Sequence, residues 1–159
     1  MTADRLGFVS FEPNNGGFRA FLPMEEVLSD DQDPKVVLDR AVKIYAKSVQ
    51  KMRHIIAETE NLKASRKRVP AGKMWQLGDV IFRLVEDLKK QSLQLDGVYQ
   101  HLSRDLQVKR KWLEKAIIFR RYLPDQSVIP QSLNWGSCEK GTRRAAERLR
   151  RGLPPQEGS

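Results

Sequence analysis

The sequence predicts a mainly α fold, a helical domain containing a helix-turn-helix unit and preceded by a short N-terminal β-hairpin. Three observations carry that prediction. Apolar residues recur at helical spacing between residues 37 and 62 and again between 74 and 88. Asn and Gly residues separate two short aromatic runs near the start. The stretch HLSRDLQVKRKWLEKAI, residues 101–117, places small, inward and turn residues at helix-turn-helix spacing.

The first element is GFVSFEPNNGGFRAFLP, in which Asn14-Asn15-Gly16-Gly17 accepts positive φ cheaply and so reads as the turn of a hairpin. Phe8, Phe11, Phe18 and Phe21 supply its apolar faces. A lone hairpin is marginal in water, so it is expected to pack on the helical body or on a partner. An acidic link, MEEVLSDDQD, completes residues 1–33.

Asp33-Pro34 is a helix start, because Asp accepts from free N–H groups and Pro suits the first helical position. Val37, Leu38, Ala41, Ile44, Tyr45, Val49, Met52, Ile55, Ile56 and Leu62 give a helix of seven or eight turns. The basic loop ASRKRVPAG ends it. A second helix covers residues 73–91, with Met74, Leu77, Ile81, Leu84, Val85 and Leu88 as its stripe. Gly78 lies inside it at a cost of about 1 kcal/mol relative to Ala, which close helix packing would explain. Two shorter helices then reach Tyr122. After a loop over QSVIPQSLNWGS, with room for a short strand, a basic helix is expected from beyond Ser137 to about Arg151. Residues 34–151 thus form the helical domain, and residues 152–159 are expected to be a disordered tail.

Within the helix-turn-helix, Ser103 is the small residue, Leu106 points inward, and Gln107-Val108 occupy the turn. Leu113, Ala116 and Ile117 bury the second helix. The turn favours Gly for its left-handed backbone, so Gln107 is expected to carry modest strain. The second helix opens Lys109-Arg110-Lys111, with Lys115 a turn on and Arg120-Arg121 at its end. Cations at a helix start oppose the macrodipole, a cost that a facing polyanion relieves. Trp112 could stack on a ligand, but a tryptophan within a helical stripe is more often a core residue, and it is expected in the core.

Two further clusters, Arg66-Lys67-Arg68 in a loop and Arg143, Arg144, Arg148, Arg150 and Arg151 on the last helix and its end, suit phosphate contacts. The charge distribution agrees. The net charge is +9, but residues 1–34 hold two arginines against seven acids, leaving 27 basic and 13 acidic residues for 35–159, a net of +14. A basic body behind an acidic leader points to a polyanionic partner, DNA above all.

Other classes find little support. Cys138 is the one cysteine, which excludes an internal disulfide and suits a reducing cytoplasm. The N-terminus does not read as a signal peptide, and no apolar run is long enough for a membrane span. Pro124-Asp125 begins like a nuclease motif, but no acid-x-lysine strand follows it; no P-loop or Ser/His/Asp arrangement appears, and His54, His101 and Cys138 lack metal-ligand spacing. The chain is therefore expected to be non-catalytic and to need no cofactor. An alternative is a scaffold subunit that docks partners through the long first helix and the aromatic hairpin. That helix also permits a homodimer.

Several of these segments also carry a family resemblance. Residues 73–81, KMWQLGDVI, are similar to the tryptophan-x-x-glycine-x-x-isoleucine helix in the N-terminal domain of the YhcG-type nucleases. His101–Leu106 resembles that family's leucine-serine-x-aspartate-leucine segment, Leu113–Tyr122 its next helix, and Leu133-Asn134-Trp135 its leucine-serine-tryptophan motif. The resemblance spans about residues 36–148. It implies a winged-helix-like DNA-binding domain, ordinarily fused to a PD-(D/E)xK nuclease, and so a nuclease or other effector as protein partner. The chain departs from the family in having Gly136-Ser137-Cys138 where a histidine is expected. It also ends before a nuclease domain, which implies no catalysis by this chain.

Overall fold

The computed structural model describes residues 9–10, 20–23, 34–91, 93–95 and 97–156. Helices dominate: α1 Pro34–Ala64, α2 Ala71–Lys90, α3 Val98–Leu106, α4 Arg110–Tyr122 and α5 Thr142–Arg150. Three short strands, β1 Val9–Ser10, β2 Ala20–Pro23 and β3 Leu93–Leu95, pair antiparallel in the order β1-β2-β3. In backbone register Val9 pairs with Phe21, and Phe21 in turn with Leu95. The expected turn at Asn14–Gly17 lies outside the described residues, as do Phe8, Phe11 and Phe18.

The chain divides into two compact units. The first comprises the described residues up to Gln50 together with Arg83–Arg110; the second comprises Lys51–Phe82 and the described residues from Lys111 onward. Helices α1 and α2 each supply residues to both.

In the first unit the apolar stripes of three helices are buried: Val37, Ala41, Tyr45 and Val49 of α1, Leu84 and Leu88 of α2, and Leu102 and Leu106 of α3. Leu93 of β3 joins them. Tyr45 is 1% exposed, and its hydroxyl donates to the Asp105 carboxylate, which satisfies a polar tip inside the apolar cluster.

Helix α3 ends at Gln107, whose φ of 57° and ψ of 45° put a non-glycine residue in the left-handed region. Its N–H and that of Val108 both donate to the Ser103 carbonyl, and the Ser103 hydroxyl donates to the Val108 carbonyl. The expected strain at Gln107 is therefore present, held in place by these three bonds. Gln107→Gly is expected to raise stability by about 0.5–1 kcal/mol, read as a higher urea midpoint at unchanged slope. A lowered midpoint would show that side-chain contacts of Gln107 outweigh the strain.

Among the described residues, the second unit has the larger core. Met52 and Ile55 of α1, Met74, Trp75, Leu77 and Ile81 of α2, Leu113, Ala116, Ile117 and Phe119 of α4, and Ala145, Ala146 and Leu149 of α5 are buried. Phe119 and Trp135 meet edge to face, with ring centroids 5.3 Å apart. The Trp75 indole N–H donates to the Leu123 carbonyl at 2.7 Å, which ties α2 to the end of α4.

Gly78 is where α2 and α4 cross. A Cβ at this position would sit 2.7 Å from the Ala116 carbonyl carbon and 2.9 Å from Arg120 Cβ, with the Ala116 oxygen closer still. Close packing is thus the reason for a glycine within the helix.

Helix α5 starts later than expected. Trp135–Ser137 forms a 3-10 turn, the Glu139 N–H still donates to the Trp135 carbonyl, and Gly141 turns left-handed at φ 82° before Thr142 begins the helix. Its end is a left-handed cap: Gly152, φ 78°, donates to Leu149 and Leu153 donates to Arg148. Residues 152–156, expected in the disordered tail, include this cap, and Pro154 accepts a 2.6 Å bond from Arg148 Nε.

Cys138 is fully buried, and burial pushes its thiol up to about 12. At pH 8 it is protonated and shielded. Native protein is therefore expected to stay unmodified by a thiol reagent that labels it in urea, and rapid native labelling would show that the site opens.

Candidate functional site

Nearly all the basic residues singled out in the sequence fall in the second unit; Lys109 and Arg110 fall in the first. The structure sorts those of the second unit into two groups and sets Arg120 and Arg148 aside.

The first group surrounds a cleft of about 570 Å³. Helix α1 ends with Arg66 in the left-handed region at φ 60°. Arg66 N–H donates to Lys63 and Lys67 N–H to Leu62, the pairing of a Schellman cap that normally takes glycine. The chain then leaves as Lys67-Arg68-Val69 and is pinned in register. Trp135 N–H donates to the Val69 carbonyl and Ala71 N–H to the Leu133 carbonyl, each at 2.8 Å, and Pro70 bridges Asn134. This pairing brings Lys67 and Arg68 beside Asn134, Trp135, Gly136 and Ser137, and all of them line the cleft with Lys63 and Trp112. Glu139 is the acid among these lining residues. Arg66, Lys67 and Arg68 are exposed.

Trp112 departs from its expected core position. It is half-buried on the cleft wall, with the Lys63 ammonium 5.7 Å from its ring centroid. Trp75 and Trp135 are the core tryptophans, 7% and 5% exposed. The Trp135 indole N–H is buried without an acceptor, a state that costs about 1–3 kcal/mol.

The second group lies on α4 and α5. Lys115 shares a shallow depression with Arg143 and Arg144 at the start of α5. Lys111, Arg121 and Arg144 are exposed, and Lys115 is half-buried. Arg143 stacks on Tyr122 at 4.5 Å and bonds Glu147 at 3.0 Å, contacts that hold its guanidinium at the surface. Helix α5 has no side-chain cap at Gly141 and no acid in its first turn, and the first turn of α4 likewise lacks an acid. Cations therefore open both helices against the macrodipole.

Arg120 stands apart from these residues. Its Nε bonds Asp79 at 2.7 Å, both side chains are under 20% exposed, and its guanidinium lies 4.3 Å from the Phe82 ring and 5.2 Å from Trp75. It is a packing residue of the α2–α4 crossing. Arg148 is committed to the Pro154 carbonyl, so it serves the end of α5.

Lys63 and Asn134 line the cleft but are not among the binding residues expected from the sequence. Lys63 lies three residues before Arg66 in one basic run, a signal that was legible; Asn134 reaches the cleft through a pairing between distant segments, which composition does not reveal. Nearby, Lys73 bonds Glu58 at 2.9 Å and holds that carboxyl below its usual range.

Among the described residues no three His, Cys, Asp or Glu side chains are placed to hold a metal ion, and no helix is long and apolar enough to cross a membrane. Comparison with family models, with curated proteins and with solved structures gives no match for this chain.

Proposed function

We propose that this protein is a non-catalytic nucleic-acid-binding module that engages duplex DNA through the helix-turn-helix of α3 and α4, acting as a regulator or as the targeting subunit of another protein. The observation that carries this reading is the pair of helix starts, α4 and α5, that present cations where an acid or a capping side chain is the usual choice. Bound phosphate would turn that local cost into affinity. Lys111, Lys115, Arg121 and Arg144 are the phosphate-facing set, with Arg143 beside them; Lys109 and Arg110 come just before this set in the sequence.

The same reading takes the helical domain as winged-helix-like and the N-terminal segment as a β-hairpin. In this reading the wing would be the segments 69–71 and 133–135, which are joined by one backbone bridge and two hydrogen bonds. The resemblance to the N-terminal domain of YhcG-type nucleases supports a nuclease or another effector as protein partner. A target site with two-fold symmetry would require a homodimer.

The scaffold reading ranks second, because it needs an exposed apolar face. Among the described residues the large hydrophobics most open to solvent are Val36, Val128 and Leu153, scattered along the chain.

Fluorescence anisotropy with labelled duplex DNA, single-stranded DNA and duplex RNA across a salt series tests the proposal. Duplex DNA is expected to bind best, with log affinity falling by about 0.9 per phosphate neutralised for each unit of log salt. Absence of duplex binding at low salt would defeat it.

A further inference from the structure

We propose that the cleft lined by Lys63, Lys67, Arg68, Trp112, Asn134 and Trp135 binds one unpaired nucleotide, its base against Trp112 and its phosphates against the three cations. This rests on the nucleic-acid reading above and assigns the cleft a role separate from the helix faces. Shape is the first argument. The cleft is concave and about 570 Å³, room for a single nucleotide, whereas the bases of an intact duplex are stacked inside a convex rod.

Chemistry is the second argument. A basic groove with one aromatic wall is the arrangement by which proteins hold unstacked bases, and Trp112 is the half-buried tryptophan of the second unit where Trp75 and Trp135 are buried. The face of Trp112 is at present covered by Lys63. A cation over an exposed ring contributes about 2- to 5-fold in affinity, and base stacking about 5- to 150-fold. A base therefore displaces Lys63, and the freed ammonium turns to the phosphate. Asn134 offers both a donor and an acceptor to the edge of that base. The backbone ties at Val69–Trp135 and Ala71–Leu133 fix the two walls, so the cleft is formed before any ligand arrives.

The test uses the full chain with two labelled duplexes, identical except that one carries a single unpaired thymidine. The bulged duplex is expected to bind at least 5-fold more tightly. Trp112→Leu is expected to bring the ratio of the two affinities to one, and 5-bromouridine at the bulge is expected to crosslink to Trp112 in the unaltered protein, a result that does not depend on the variant folding. Equal binding of the two duplexes, with no crosslink at Trp112, would overturn the cleft assignment and leave the duplex reading standing. Failure to bind either duplex while a thymidine dodecamer binds and crosslinks at Trp112 would do the reverse. Failure of all three probes would overturn both.

Discussion

Gly78→Ala is expected to destabilise the protein by about 3 kcal/mol, even though alanine is the better helix former by about 1 kcal/mol. The opposing effect is steric. The added methyl would meet the backbone of Ala116, where the neighbour is a carbonyl in the middle of α4 and has no rotamer with which to move aside. Relief requires α2 and α4 to separate, and that loosens the Asp79–Arg120 bond and the Trp75 bond to Leu123. Two partly desolvated charges then lose their geometry together. Urea unfolding should show a much lower midpoint with little change in slope. A variant as stable as the parent would mean that the crossing is far softer than its contacts imply. Gly78→Ser should behave like Ala, because it carries the same Cβ.

The combined variant Lys111→Glu, Lys115→Glu, Arg144→Glu is expected to lose at least about 100-fold in duplex affinity near 100 mM salt, with unfolding little changed. Each removed phosphate contact should also lower the salt slope by about one, so the slope should fall by about three. These residues lie on α4 and α5, and two of the three are exposed, so the fold does not depend on their charge. Acids at helix starts in fact suit the macrodipole, so a small gain in stability is expected alongside the lost binding. Equal affinity for parent and variant would place the nucleic acid on another face or remove it from the account. Arg120→Gln serves as a contrast: it should lower stability through the abandoned Asp79, because Arg120 packs inside the crossing.

Local physics was legible in the sequence, and long-range pairing was not. Gly78 signalled a close approach because nothing else justifies its helical cost, and Ala116 is what it approaches. Gln107 signalled a left-handed turn from spacing alone, and its backbone is left-handed. The start of α1 at Pro34 followed from Asp33-Pro34. The β3 strand was missed, since Leu93-Gln94-Leu95 is three residues long and draws its partners from β2, some seventy positions earlier. The late start of α5 was missed because the 3-10 turn at Trp135–Ser137 and the left-handed Gly141 use up residues that composition alone would have given to the helix. Arg120 read as a surface cation because it adjoins Arg121 in a basic run; only the Asp79 carboxylate across the crossing shows that it is spent. Trp112 read as core for the same kind of reason. A helical stripe says which face is apolar, and it cannot say where a neighbouring element stops short.

The backbone pairing of 69–71 with 133–135 also bears on how the protein is assembled. Its two sides, such as Pro70 and Asn134, are 64 positions apart in sequence. Closing a loop of that length costs chain entropy that grows with the logarithm of the loop, about 3–4 kcal/mol before any constant. Two backbone hydrogen bonds and one bridge do not repay that until α2 and α4 have already docked. Helix pairs are therefore expected to form first and the tie later, with the basic cleft closing after the transition state. Sequence changes in the 65–70 and 130–137 segments should therefore act on the unfolding rate and leave the folding rate almost untouched, so the site can vary without slowing the fold that carries it.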